Sequence, residues 1–179
     1  MKALKKVFLV IAVLIAGVAI LAGVAKKEYS VQRQIEINKP HTEVFSYLKF
    51  LKNQDNFSVW AARDPNMKKE FRGTDGTIGF VSAWDSTNEE VGKGEQEIKK
   101  ITENERIDLE LRFLKPFEST EQAYFTTEAT SENSTVVTWG FNGKMPYPMN
   151  LMLLFMDFDA MLGKDFDSGL SKLKAILEK

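Results

Sequence analysis

The sequence predicts an α+β chain in which an apolar N-terminal helix precedes a curved antiparallel sheet closed around a long C-terminal helix. Three observations carry this. Residues Val7 to Ala25 form an unbroken run of 19 apolar or glycine residues. From Lys68 to Gly143 apolar positions recur every second residue, with breaks too short for parallel crossovers. From Pro148 to Glu178 they recur at spacings of three, four and seven.

As a helix, the first run spans roughly 28 Å, close to the hydrocarbon thickness of a bilayer. It is longer than the usual core of a secretory signal, so an uncleaved anchor over residues 1–27 is expected. Removal after Ala25, with Gly23 and Ala25 at the small-residue positions, is the alternative. Lys2, Lys5, Lys6 and the amino terminus precede the run, and Lys26 and Lys27 follow it. That bias favours an inside N-terminus and an extracytoplasmic domain.

The remaining residues, 28–179, have the length of one domain with one core. They carry 19 basic against 25 acidic residues, a balance that repels phosphate backbones and argues against nucleic-acid binding. Cysteine is absent, which removes disulfides and thiolate chemistry. The single histidine, His41, follows Pro40 and reads as a solvated first-turn residue, a poor basis for a catalytic triad or a metal site. No metal or organic cofactor is indicated.

Tyr29 to Ile37 alternates as a first strand that leaves the anchor almost directly and holds the domain near the lipid surface. Pro40 to Leu51 places Val44, Phe45, Leu48 and Leu51 at helical spacing. A shorter helical or irregular piece, Asn53 to Ala62, carries Phe57 and Trp60. Asp64-Pro65-Asn66 reads as a turn. Strands are then expected at Lys68 to Arg72, Thr77 to Asp85, Glu89 to Ile101, Arg106 to Phe113, Ser119 to Ala129 and Thr135 to Asn142. One face of this meander is apolar, through Ile78, Phe80, Trp84, Ile98, Ile107, Leu109, Leu111, Phe113, Phe125, Val137, Trp139 and Phe141. The long helix expected over Pro148 to Glu178 covers it, with Met152, Phe155, Leu162, Phe166, Leu170, Leu173 and Leu177 on the inward stripe.

Several features of these elements bear on function. Met145, Met149, Met152, Met156 and Met161 crowd into the start of the C-terminal segment, either as a methionine-rich core helix or as the lining of a pocket that adapts to varied apolar shapes. Between Met149 and Phe158 only Asn150 and Asp157 interrupt the apolar character. A helix apolar all round must touch more than one sheet, so the stretch is expected to meet loops or the membrane as a portal for an apolar ligand. Asp159 falls on the inward stripe, where a carboxylate needs a raised pKa or a polar partner, with Gln96 and Ser82 as the candidate counterparts; the alternative is a slight helix rotation that exposes it to solvent. The glycine-rich Gly73 to Gly79 precedes a strand and reads as a hairpin turn, not a phosphate loop. Glu95 with Glu97, and Asp108 with Glu110, lie opposite the apolar face as solvated surface.

The pattern of elements resembles the START-like superfamily, also called SRPBCC, and within it the polyketide cyclase/dehydrase and lipid-transport family. The matching stretches are Ile35 to Pro40 leading to Val44-Phe45, Asn56 to Trp60, Gly79 to Trp84, Gly92 to Ile98, Thr135 to Trp139, and Gly163 to Leu170 ahead of Leu173-Lys174. The resemblance implies a helix-grip fold with a cavity between sheet and long helix for lipids, sterols or polyketides. Its expected lining is Phe80, Ser82, Trp84, Gln96, Ile98, Leu109, Leu111, Phe125 and Trp139 from the sheet, with Met152, Phe155, Met156, Asp159 and Leu162 from the helix. The leading expectation is a membrane-anchored binder of a hydrophobic small molecule or lipid. The alternatives are a protein-interaction domain like the co-chaperone branch of the superfamily, its partner unknown and its core filled, and a cyclase or dehydratase. No catalytic motif of such enzymes matches here, and Asp159 is the one candidate acid.

Overall fold

A computed structural model describes residues 2–179. Met1, whose amino group entered the charge count above, lies outside the described residues. Lys2–Val24 form helix α1, in which Leu4–Val24 is long and apolar enough to cross a membrane. Strand β1 (Glu28–Ile37) follows at once, then α2 (His41–Lys49), a 3₁₀ turn (Leu51–Asn56) and α3 (Val59–Arg63). The meander comprises β2 (Lys68–Arg72), β3 (Val81–Asp85), β4 (Lys93–Thr102), β5 (Arg106–Lys115), β6 (Ser119–Ser131) and β7 (Ser134–Lys144). A second 3₁₀ turn (Met149–Leu154) leads into α4 (Phe158–Leu177).

All seven strands form one antiparallel sheet in the order β1-β7-β6-β5-β4-β3-β2. Each neighbour in the meander is its sequence neighbour, and β1 closes on β7 with Glu28 opposite Lys144 and Ile37 opposite Thr135. The concave face grips α4, which buries Phe166, Leu170, Leu173 and Leu177 against it. Gly169 makes this approach possible, because a Cβ there would overlap the Trp139 ring. Trp139 and Phe166 stack with centroids 4.5 Å apart, and Trp60 meets both edge-on at 6.1 Å. Such pairs add about 0.5–1.5 kcal/mol beyond the area they bury.

This aromatic wall divides the interior. On the side of α2 and the end of α4 the core is closed, with Ile37, Val44, Phe45, Ile98, Ile107, Phe125 and Val137 at 0–1% exposure. Phe80, also buried, stacks on Phe71 at the far edge. His41 is half-buried here, its Nε2 2.8 Å from the Thr127 hydroxyl, so the expectation of a solvated histidine is corrected. The turn at Gly73 to Gly76 joins β2 towards β3, and Asp75 in it accepts from the Leu51 and Lys52 amides at 2.8 and 3.2 Å, capping the first 3₁₀ turn.

Three further expectations need revision. The strand placed at Thr77 to Asp85 begins only at Val81, since Gly79 has a positive φ of 87° and Ile78 is exposed. β4 begins at Lys93, not Glu89, after a turn. The continuous helix over Pro148 to Glu178 is two pieces. Asp157 accepts from the Ala160 amide at 2.9 Å and so starts α4 at Phe158, the role that makes aspartate favourable at helix starts and unfavourable within them.

On the convex face Arg112 bridges Glu95, Glu97 and Glu110, and Arg72 joins Glu95. These guanidinium contacts hold Glu95 and Glu97 below their ordinary pKa. The acidic pairs are therefore a neutralised surface network.

Candidate functional site

On the other side of the aromatic wall, between the concave sheet and the first turns of α4, lies a cavity of about 340 Å³. Its apolar lining includes Trp60, Trp84, Leu109, Leu111, Phe113, Ala123, Trp139, Phe141, Phe158, Met161, Leu162 and Phe166. All three tryptophans of the chain are among them. Gly94 leaves room for Trp84 to fold over it, with the indole N–H donating to the Val91 carbonyl at 3.2 Å.

A polar row crosses this floor. The strand register aligns Ser82 with Gln96, Gln96 with Leu111, and Leu111 with Glu121, while Tyr29 faces Gly143 next along. Gln96 donates to Gln54 at 2.7 Å at one end. At the other, Gly143 has no side chain to displace the Tyr29 ring, which lies over it and packs against Phe158 at 4.9 Å. Glu121 is 7% exposed and accepts from the Lys144 amide at 2.9 Å. Burial pushes its pKa above the ordinary glutamate value, against the opposing pull of that amide. Burial, and then the nearby Glu121 charge, push the Tyr29 phenol up to about 12.

Of the residues expected to line the cavity, Ser82, Trp84, Gln96, Leu109, Leu111, Trp139 and Leu162 do so. Phe80, Ile98 and Phe125 are buried in the closed core instead. Met152, Phe155 and Met156 are not among the lining residues, because the break before α4 takes them off the inward stripe; Phe155 is 83% exposed. Asp159 also lies outside. Its carboxylate forms a two-oxygen pair with Arg33 at 2.9 Å to each oxygen, over Gly163, and that guanidinium holds its pKa below the ordinary range. A polar partner was expected for Asp159, but it is Arg33, not Gln96 or Ser82. Sequence reasoning missed Tyr29 and Glu121. The signal was faint: Glu121 is an acidic residue in phase with the inward-facing Ala123 and Phe125 of its strand.

The second 3₁₀ turn touches the end of α1. Asn150 is fully buried, and its amide donates to the Ala22 and Ala25 carbonyls at 2.7 and 3.2 Å. These are among the carbonyls that a helix end leaves without internal partners. The Met145 amide donates to the Lys27 carbonyl at 2.8 Å, completing the joint.

No protein-family model matches the chain, and no curated protein matches it in sequence. Solved structures do match in fold. The solution structure of the Aha1 dimer from Colwellia psychrerythraea is 16% identical, with a TM-score of 0.55 over 84% of this chain and 96% of that one. A Mesorhizobium loti protein is 14% identical, with a TM-score of 0.58 over 84% and 97%. A protein of the dynemicin biosynthetic locus is 15% identical at a TM-score of 0.52, over 84% of this chain and 47% of that one. The chain has the helix-grip fold that these neighbours share.

Proposed function

We propose that the protein is a membrane-anchored module that binds a hydrophobic, lipid-like or polyketide-like molecule in the cavity between sheet and α4. The observation that carries this is the cavity itself, about 340 Å³ of space beside a core that is otherwise closed. That volume lies in the range of small-molecule sites, and an apolar wall with a few convergent polar groups is their usual composition. Tyr29, Glu121, Gln96 and Ser82 would orient a polar group of the ligand, and the tryptophans would pack its apolar body. An interaction domain with a filled core is not favoured by such a space. Retention of α1 as an anchor is supported by the Asn150 joint, which ties its last turn to the folded body.

The test is quenching of tryptophan fluorescence by brominated acyl chains, with the full chain in nanodiscs. No tryptophan lies in α1, so quenching reports the body of the protein. Strong quenching by a brominated fatty acid, lost when the cavity is filled, supports the proposal. A full-length panel of acyl and polycyclic ligands without response overturns it. Glu121 favours a second reading, acid–base conversion of the bound ligand, because a desolvated carboxyl is poised nearer neutral pH. In that case Glu121→Gln retains binding and loses conversion.

A further inference from the structure

The edge of the sheet from which α1 departs is rimmed by apolar side chains that face away from the protein. β1 begins at Glu28, opposite Lys144 of β7. Extending the pairing of Gln122 with Asn142 brings Ser119 level with Met145, so the β5–β6 turn reaches the same edge. Its Phe117 is 76% exposed and Leu114 is exposed beside it. Across the edge, the segment between β7 and α4 exposes Tyr147, Met149, Leu154 and Phe155. Large apolar patches outside the core mark interaction sites, not chance.

The cavity reaches this rim between the two groups, and at its other end it extends to the exposed Asp55, Lys69 and Glu90. Phe113, near the end of β5, and Ser119, the first residue of β6, line it on either side of the β5–β6 turn, and Phe158 and Met161 line it just beyond Phe155. α1 is tied to this rim, because Asn150 hydrogen-bonds to Ala22 in its last turn and to Ala25 just past it, and Met145 to Lys27 in the link that follows. The apolar helix and the apolar rim therefore leave the body on the same side.

We propose that this rim is a membrane-seated collar: the β5–β6 turn and the Tyr147 to Phe155 segment dip into the bilayer that holds α1, and the end of the cavity that reaches the rim faces lipid. The ligand then enters from the membrane without crossing water. This rests on the reading of α1 as an anchor, and it adds an orientation and a route to that reading. The occupant is the lipid surface, since α1 delivers the rim to it within the few residues between Val24 and Glu28. An apolar face of this kind sits roughly 5–10 Å into the boundary between headgroups and acyl chains.

The absence of cysteine makes the test direct. Single-cysteine variants Phe117→Cys, Phe155→Cys, Leu14→Cys in α1 and Glu132→Cys at the opposite pole are spin-labelled in the full chain. Each is reconstituted in vesicles of phosphatidylcholine with phosphatidylglycerol, and depth is read from relative accessibility to oxygen and to a water-soluble nickel chelate. All four positions are exposed, and circular dichroism confirms that each variant folds. The proposal expects Leu14 deep, Phe117 and Phe155 at interfacial depth, and Glu132 in water. Leu14 deep with Phe117 and Phe155 in water overturns the collar while leaving the anchor. Leu14 in water overturns both. Labels at 117 and 155 shielded from both reagents point to a protein partner or a second copy, and also overturn the collar.

Discussion

Filling the cavity with Ala123→Phe separates a binding site from a packing defect. Ala123 is 5% exposed, faces the space from β6, and lies between Leu109 on β5 and Phe141 on β7. A phenyl ring projected from it enters open volume. Burying the ring contributes about 1.5–3 kcal/mol, and imperfect fit costs about 1–3 kcal/mol, so stability should hardly change. For a body of this size the melting temperature should stay within about 4 °C of the parent. The ring displaces on the order of four methylenes of a bound chain at about 0.8 kcal/mol each, or about 3 kcal/mol. At 1.4 kcal/mol per decade this weakens binding roughly 200-fold. The assay is quenching of Trp60, Trp84 and Trp139 by brominated stearate, with Met152→Phe, outside the cavity, as a control that should bind normally. Unchanged affinity in Ala123→Phe would place the ligand elsewhere. A collapse in melting temperature would show that the volume is not open, and would refute the argument at its base.

Other outcomes follow from the same geometry. Glu121→Gln should raise the melting temperature more at pH 7 than at pH 4. The folded-state pKa is raised, so the folded form binds more protons between the ordinary value and the shifted one; the ionised carboxyl lowers stability as pH rises through that window. The parent protein should lose stability in acid, because Glu95, Glu97 and Asp159 have lowered pKa values and give up their arginine contacts as they protonate. Phe166→Ala should destabilise by about 3–5 kcal/mol in denaturant melts, since it removes a 3%-exposed ring stacked on Trp139. Asp159→Asn should leave ligand affinity unchanged; a marked loss would return Asp159 to the site. Asn150→Leu removes both hydrogen bonds to the end of α1 and should broaden a spin-label distance measured between α1 and α4; an unaltered distribution would show that the joint does not set the orientation.

Much of the architecture was legible because it rests on local periodicity. The period of two predicted a meander, short breaks made it antiparallel, and the period near 3.6 in Phe166, Leu170, Leu173 and Leu177 marked the helix that covers it. The run from Val7 to Ala25 reads as one apolar helix by composition alone. Strand ends were less legible, as at Gly79, where a positive φ stops the strand that Ile78 and Phe80 suggest.

The site divides along a similar line. Six of the residues expected from alternation line the cavity, because a strand's pleat sends every second side chain to the same face, and Leu162 joins them from the helical stripe. Alternation cannot say how far along the strand the covering helix reaches. Phe80, Ile98 and Phe125 share the face with Leu109 and Leu111, yet Ile98 and Phe125 fall in the closed core and Phe80 is buried against Phe71 at the far edge. The fate of Met152, Phe155 and Asp159 turned on Asp157, whose carboxylate can interrupt a helix or cap one; only the surrounding fold selects the cap. By itself the sequence determined which faces are apolar, which elements form and which end carries the long apolar helix, since these follow from side-chain order along one chain. Tertiary structure alone decided that Tyr29 and Glu121 meet across Gly143, that Arg33 removes Asp159 from the site, and that Asn150 ties α1 to the rim. Each of these is a contact between residues distant in sequence, set by register and by helix placement that no local pattern encodes.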